Sequence, residues 1–151
     1  MLGDNRPYDP QPILKLACSS PVIVWCGNHY APRLPDTGGW LAWQKKPDSQ
    51  LGMLSFSDGE FAWYSWGRRS LFKRHLWIGR SRAGSREANG KVRYHSTQKP
   101  VKMMRWCIDL LPTKGGGWGN TIIDPYLGSG STAIVAVQAG VRFIGAEASE
   151  R

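Results

Sequence analysis

The chain has 151 residues, of which 41% are hydrophobic and 21% are charged, and its formal net charge is +9. This length and apolar content indicate one folded domain and exclude disordered, collagen-like and coiled-coil chains. No apolar run approaches the roughly 18–20 residues that cross a bilayer, and residues 1–6 lack the features of a secretory leader. We therefore expect a soluble cytoplasmic protein without a membrane partner.

The residue types that form disulfides and bind metals are few and widely spaced. The three cysteines form no Cys-x-x-Cys pair, and their odd number leaves one unpaired in any disulfide scheme. The three histidines do not stand at metal-ligand spacing with one another or with the cysteines. These residues are Cys18, Cys26, Cys107, His29, His75 and His95. We expect free, buried thiols and no metal site.

One helix and three short strands are expected in the first part of the chain. The helix spans 11–20, with Pro12 in its first turn. Apolar strands are expected at 22–26, 40–43 and 61–66, separated by loops that are rich in proline, glycine and polar residues.

Most of the positive charge lies in residues 67–94. This segment holds nine cations and the single acid Glu87, which together account for +8 of the net +9. Its glycines and the absence of a sustained hydrophobic period predict an irregular insertion. A solvated basic face is one interpretation, but so dense a cluster among aromatic residues favours a polyanion, and we expect nucleic acid. The expected nucleic-acid-binding residues are Arg68, Arg69, Lys73, Arg74, Arg80, Arg82, Arg86, Lys91 and Arg93.

Helix and strand alternate regularly after this segment. A helix is expected between Pro100 and Pro112, because apolar residues recur there at helical spacing. A strand over 121–124, a turn over 125–130, a helix over 131–139 and a strand over 142–147 follow. A short helix between two apolar strands predicts a parallel pair of strands.

The glycine turn after Asp124 is the sharpest chemical signal. Gly128 and Gly130 can adopt positive φ and let the backbone approach a ligand, and such turns bind nucleotides in open α/β sheets. Hydroxyl groups around the turn come from Ser129, Ser131 and Thr132. Glu147 ends the next strand, where an acid accepts hydrogen bonds from ribose hydroxyls. The turn matches neither the dinucleotide fingerprint nor a P-loop, so a nucleoside without polyphosphate fits best and a nucleotide-binding oxidoreductase is a remote alternative.

Three segments in this order resemble the amino-group DNA methyltransferases of bacteria and phages. They are His95-Ser96-Thr97-Gln98-Lys99-Pro100, Asp124-Pro125-Tyr126-Leu127-Gly128-Ser129-Gly130-Ser131-Thr132 and Phe143-Ile144-Gly145-Ala146-Glu147. The usual family forms are His-Pro-Thr-Gln-Lys-Pro and Asp-Pro-Phe-x-Gly-Ser-Gly-Thr, so Ser96, Tyr126 and Ser131 are departures. The order is that of the permuted β-type enzymes. The segments 25–30 and 39–45 are similar to those that precede the recognition region of the family, so the resemblance spans most of the chain.

The resemblance implies an α/β, Rossmann-like, S-adenosylmethionine-dependent methyltransferase fold. The implied activity is methyl transfer to an exocyclic amino group of double-stranded DNA, at adenine N6 or, as the alternative, at cytosine N4. By the same resemblance, residues 1–66 are part of the catalytic-side half, 67–94 are the target-recognition insertion and 95–151 are the cofactor half. The implied cofactor-binding residues are Thr97, Gln98, Lys99, Asp124, Tyr126, Gly128, Ser129, Gly130, Thr132 and Glu147.

The sequence does not contain the catalytic motif of this family. That motif, Asp/Asn/Ser-Pro-Pro-Tyr/Phe, holds the amino group of a flipped-out base and stacks the base on its ring. Asn5-Arg6-Pro7-Tyr8 comes within one residue of it, but too few residues precede it to form the strand that presents such a loop. We leave the catalytic residues unassigned and expect a fold that is incomplete at both ends. Three explanations stay open: a partial gene model, an inactive remnant that binds DNA or cofactor, and a piece completed by self-association or by another chain.

Overall fold

The computed structural model describes residues 8–36, 38–53, 55, 57–78, 81–82, 98–111 and 121–147. These residues fall into two units, 8–82 and 98–147. The first unit contains α1 (Gln11–Ala17), β1 (Ile23–Trp25), a 3₁₀ segment (Gly27–Arg33), β2 (Gly39–Gln44), a 3₁₀ turn (Asp48–Gln50), β3 (Gly59–Tyr64), β4 (Leu71–Arg74), β5 (Trp77–Ile78) and β6 (Ser81–Arg82). The second unit contains α2 (Val101–Asp109), β7 (Thr121–Asp124), α3 (Ser131–Gln138) and β8 (Arg142–Gly145).

The main sheet of the first unit has the strand order β1-β3-β2-β4. β3 is antiparallel to both β1 and β2, so these two strands run in the same direction with β3 between them. β4 continues the sheet in parallel with β2. β5 and β6 form a separate antiparallel pair.

The two faces of this sheet differ in how completely they are covered. Side chains alternate between the faces along each strand, and the face of Leu41, Trp43 and Ala62 is buried. On the opposite face, Val24 and Trp63 pack in a core with Leu34 and with apolar residues that include Leu14 of α1 and Tyr30 of the 3₁₀ segment. The other half of this second face exposes large side chains from β3 and β4.

The second unit is a strand–helix–strand arrangement. β7 and β8 pair in parallel, with Asp124 opposite Gly145, and α3 packs on β8 and on α2. The buried side of α2 consists of Met103, Met104, Cys107 and Ile108. α3 ends in a Schellman motif, because the amide of Val141 donates to the carbonyl of Ala136 and Gly140 has a φ of +66°.

The helices and strands expected from the sequence are confirmed, with ends that shift by one to three residues. The expectation of an irregular segment over 67–94 is wrong for its first part. Residues 71–74 pair with β2, and residues 77–78 and 81–82 pair with each other. β4 and β6 contain cations and β5 has only two residues, so no apolar run marks these strands in the sequence. The three cysteines are free, but only Cys107 is buried, whereas Cys18 is exposed.

Candidate functional site

The glycine turn connects β7 to α3 through a short set of hydrogen bonds. The amide of Tyr126 donates to Oδ1 of Asp124 at 3.0 Å, and the amide of Gly130 donates to the carbonyl of Leu127 at 3.0 Å. Gly128 and Gly130 have φ values of +54° and +79°. Both values lie in the left-handed region, which costs other L-residues roughly 1–2 kcal/mol. The turn therefore depends on glycine for its backbone path, as the sequence predicts.

The end of β8 lies directly against this turn. The amide of Ala146 donates to the carbonyl of Asp124 at 3.0 Å, and the amide of Leu127 donates to the carbonyl of Ala146 at 2.9 Å. The amide of Gly128 donates to Oε2 of Glu147 at 2.7 Å. The structure thus brings together the strand end, the glycine turn and the acid that were singled out separately in the sequence.

The segment before α2 joins the same turn through one buried hydroxyl. Oγ of Ser131 donates to the carbonyl of Lys99 at 2.6 Å, and the Ser131 residue is 6% exposed. Oγ of Ser129 lies 3.3 Å from Oγ of Ser131. Sequence analysis identified the hydroxyl of Ser131 near the turn but did not include Ser131 among the cofactor-binding residues. Its position as the first helical residue after a positive-φ glycine is the signal that would have included it.

The other predicted cofactor-binding residues have different surroundings. Gln98, Lys99 and Thr132 are half-buried, whereas the ring of Tyr126 is 62% exposed beside the turn. Thr97 lies outside the described residues.

The structure divides the predicted nucleic-acid-binding cations. Arg68 and Arg69 are exposed in the turn between β3 and β4. Lys73 and Arg74 are neighbours on β4 and lie on opposite faces of the sheet. Nη1 of Arg74 is 3.0 Å from Oδ2 of Asp48. Only the backbone of Arg82 is described, in β6, and Arg80, Arg86, Lys91 and Arg93 lie outside the described residues. Their role in binding nucleic acid stays a prediction.

An ion pair between a buried ammonium group and a partly exposed carboxylate closes the loop between β2 and β3, and the sequence did not reveal it. The side chain of Lys46 is 0% exposed, and its Nζ donates to Oδ1 of Asp58 at 2.7 Å. Oδ2 of Asp58 accepts from the amide of Gly52 at 3.0 Å. The hydrogen bond from Lys46 is the main cause that lowers the pKa of Asp58 below its ordinary value of 3.8. Lys45 makes a second pair across the same loop, with Nζ 2.9 Å from Oε1 of Glu60. Lys46 and Asp58 are 12 residues apart in the chain, so no local pattern identifies their pairing.

Membrane-spanning helices and metal-binding clusters are both absent from the described ranges. No helix there is long and apolar enough to cross a membrane. No group of three or more histidine, cysteine, aspartate or glutamate side chains in those ranges is arranged to hold a metal ion.

The chain is similar to known DNA methyltransferases in sequence. The family model N6_N4_Mtase, described as DNA methylase, matches residues 36–151. The type II methyltransferase M2.DpnII of Streptococcus pneumoniae is 38% identical over 140 residues, which cover 85% of this chain and 46% of that protein. The type II methyltransferase M2.LlaDCHI of Lactococcus lactis subsp. cremoris is 35% identical over 140 residues, covering 85% of this chain and 45% of that protein. The chain spans about half the length of these curated relatives.

Solved structures extend the similarity to the fold. The M1.HpyAVI–SAM complex matches with a TM-score of 0.55 at 18% identity, over 86% of this chain and 69% of that chain. A second M1.HpyAVI structure matches with a TM-score of 0.51 at 17% identity, over 86% of this chain and 68% of that chain. The predicted α/β methyltransferase fold is therefore confirmed. Since the family model matches well over half of the sequence, the chain belongs to the N6/N4 DNA methylase family.

Proposed function

We propose that this chain contributes the S-adenosylmethionine-binding part of a DNA amino-methyltransferase whose target is an exocyclic amino group of double-stranded DNA, adenine N6. The observation that carries the proposal is the contact between the amide of Gly128 and the carboxylate of Glu147 at 2.7 Å. It holds an acid beside a positive-φ turn at the carboxyl end of a parallel strand, which is where α/β proteins bind nucleosides.

The residues around the turn fit S-adenosylmethionine. The Glu147 residue is exposed, and a carboxylate has enough acceptor sites to serve both a backbone amide and ribose hydroxyls. A Cβ placed on Gly130 would meet no described atom within 4 Å, so the backbone there is open to a ligand. S-adenosylmethionine contains a nucleoside without polyphosphate and supplies, when bound, an activated methyl group.

Each part of the site has a distinct role in this proposal. Glu147 accepts hydrogen bonds from the ribose, and Gly128 and Gly130 allow close approach of the backbone. The exposed ring of Tyr126 provides an apolar surface beside the turn. Residues 97–99 close the methionine side, and the hydrogen bond from Ser131 to Lys99 fixes this segment relative to α3.

The proposed target follows from the family and from the exposed charge. The matched family acts on DNA by its description, and Arg68 and Arg69 are exposed cations suited to phosphate contacts. Attack by an amino nitrogen on an activated methyl group needs no covalent intermediate with the enzyme. The cysteines therefore have no nucleophilic role, and the burial of Cys107 agrees with this.

Calorimetric titration with S-adenosylmethionine tests the cofactor assignment. Glu147→Gln keeps an acceptor for the amide of Gly128 but loses the charge and one carboxylate oxygen. Glu147→Ala loses the acceptor for the amide of Gly128 and the acceptor for the ribose hydroxyls. We expect saturable binding by the unmodified chain, at least tenfold weaker binding by Glu147→Gln, and weaker binding still by Glu147→Ala. Asp109→Asn removes an exposed acid of α2 and is the matched control. Equal affinities for all four proteins would overturn the assignment of Glu147.

Nucleoside analysis of DNA incubated with S-adenosylmethionine and a full-length version that contains the catalytic motif tests the reaction. N6-methyladenine is the expected product, and N4-methylcytosine would move the proposal to the other amino group. Formation of 5-methylcytosine alone would overturn it. Cofactor binding without any methylated product would favour a cofactor-binding role for this chain without catalysis.

A further inference from the structure

Two phenylalanines stand in one row across the main sheet of the first unit. Phe61 of β3 and Phe72 of β4 are both direct cross-strand neighbours of Ala42 on β2. Cross-strand neighbours share a face, so the two rings flank a small side chain. Their strands are about 10 Å apart, which is twice the spacing of adjacent strands. The row therefore forms a shallow trough with an aromatic ring on each side.

Both rings are open to solvent although the other half of the same face is covered. Phe61 is 47% exposed and Phe72 is 63% exposed. Val24 and Trp63, on the same face, belong to the core with Leu34 and are almost fully buried. Clustered exposed aromatic side chains mark an interaction site more often than scattered ones do.

Cations lie on β4 and in the turn that leads into it. Arg74 lies two residues after Phe72 on β4 and so on the same face, and its Nη1 is 3.0 Å from Oδ2 of Asp48. Arg68 and Arg69 are exposed in the turn that leads into β4. Exposed aromatic rings beside a basic surface are the combination by which proteins bind single-stranded nucleic acid: bases stack on the rings and phosphates contact the cations.

The exposed area and the charge both disfavour a second copy of this chain as the occupant. At roughly 200 Å² for a whole phenylalanine side chain, the exposed parts of the two rings amount to about 200 Å². A stable dimer of standard size buries about 800 Å² on each partner. Two copies would also bring Arg68, Arg69 and Arg74 close to the same residues of the other molecule.

We propose that this row, Phe61–Ala42–Phe72, binds unpaired bases of a DNA strand whose phosphates contact Arg68, Arg69 and Arg74. The bases must be unpaired because the faces of paired bases are stacked on one another inside the duplex. This inference rests on the proposed function only in taking DNA as the polyanion. It adds a surface for a displaced or single strand, formed by residues other than those of the glycine turn.

Fluorescence anisotropy with a labelled single strand and with the duplex of the same sequence tests this surface. The double variant Phe61→Leu/Phe72→Leu keeps apolar volume and loses the aromatic faces. We expect at least a fivefold loss of affinity for the single strand, duplex binding within twofold, and an unchanged affinity for S-adenosylmethionine. Leu16→Ala, at a 63% exposed apolar residue of α1, is the control and leaves both DNA affinities unchanged.

The charged part of the surface has a test of its own. Arg68→Gln/Arg69→Gln removes two phosphate contacts, so the slope of log affinity against log salt becomes shallower by about 1.4 for the single strand. Lys15→Gln on α1 removes an exposed cation elsewhere and leaves the slope unchanged. Equal slopes for all three proteins would exclude these arginines from the DNA contact.

The remaining outcomes separate the inference from the proposed function. Unchanged single-strand binding by the double leucine variant overturns the inference and leaves the proposed function intact. Failure of the unmodified chain to bind any DNA overturns both the inference and the assignment of DNA as the substrate. The cofactor assignment is tested independently by calorimetry with S-adenosylmethionine. A fall in molecular mass on introducing the two leucines, measured by light scattering, would identify the row as a contact between copies of the chain and overturn the proposal. Circular dichroism and urea unfolding verify that the variants fold.

Discussion

Two loops that follow strands in this protein are held in opposite ways. The loop between β2 and β3 is closed by the Lys46–Asp58 pair, whose ammonium group is completely buried. The turn between β7 and α3 is held by its own backbone and by Glu147, which is exposed. Removing the partner of a buried ammonium group is costly, whereas a hydrogen bond at the surface exchanges readily with water or ligand. The loop between β2 and β3 is therefore expected to stay closed, whereas the turn between β7 and α3 keeps its polar groups accessible to a ligand.

The largest expected effect comes from breaking the Lys46–Asp58 pair. Asp58→Ala removes the carboxylate partner of a buried ammonium group, and such losses are among the most destabilising single changes. Glu60→Ala removes the partner of Lys45, whose side chain is partly exposed, and we expect it to cost about 1 kcal/mol or less. Urea unfolding should show a loss for Asp58→Ala that is several times the loss for Glu60→Ala.

A second substitution sharpens this result. Adding Lys46→Met to Asp58→Ala removes the buried charge, so the double variant should be more stable than Asp58→Ala alone. A double variant as unstable as the single one would show that loop geometry, and not the buried charge, determines the loss.

The glycine turn offers the next largest effect. Gly130→Ala and Gly140→Ala both place a side chain on a left-handed backbone, with φ of +79° and +66°. Each should lower the free energy of unfolding by about 1–2 kcal/mol. Only Gly130→Ala should weaken S-adenosylmethionine binding, because Gly140 ends α3 away from the turn. Calorimetry that gave equal cofactor affinities for the two variants would argue against a ligand-binding role for the turn.

A smaller effect is expected at the hydroxyl that joins Lys99 to α3. Ser131→Ala removes the 2.6 Å hydrogen bond to the Lys99 carbonyl and should cost about 1 kcal/mol. Ser131→Thr keeps the hydroxyl and matches the usual family residue, so it should retain cofactor affinity that Ser131→Ala loses. Urea unfolding and calorimetry measure the two effects, and equal behaviour of the variants would contradict the role of this bond.

The smallest effect concerns acid stability. The hydrogen bond from Lys46 holds the pKa of Asp58 below 3.8 in the folded protein, so the unfolded chain takes up this proton at a higher pH than the folded one. The stabilisation is complete above about pH 4 and is lost as the pH falls through the lower folded value. Asp58→Asn should therefore show a shallower loss of stability as the pH falls below about 4, measured by urea unfolding at several pH values. A parallel acid profile for the two proteins would show that Asp58 does not contribute.

Local patterns predicted the second unit better than the first. The strand, glycine turn, helix and strand from residue 121 onwards follow from apolar periodicity and from the positive φ at Gly128 and Gly130, which are properties of short segments. The pairing of β4 with β2 and the ion pair of Lys46 with Asp58 depend on residues that are distant in sequence. No local pattern specifies such pairs, because they arise only when the strands are brought together.

The position of β3 between β1 and β2 has a consequence for the order of events during folding. Ile23 of β1 pairs with Tyr64 at the far end of β3, so β1 and β2 are both synthesised before the strand that joins them. Until β3 arrives, each has an open edge that faces no partner, and closing the sheet requires contacts between segments far apart in sequence. Such non-local closure is slow, and open strand edges invite association between chains. The refolding yield of this protein should therefore fall as its concentration rises, even under conditions in which the folded state is stable.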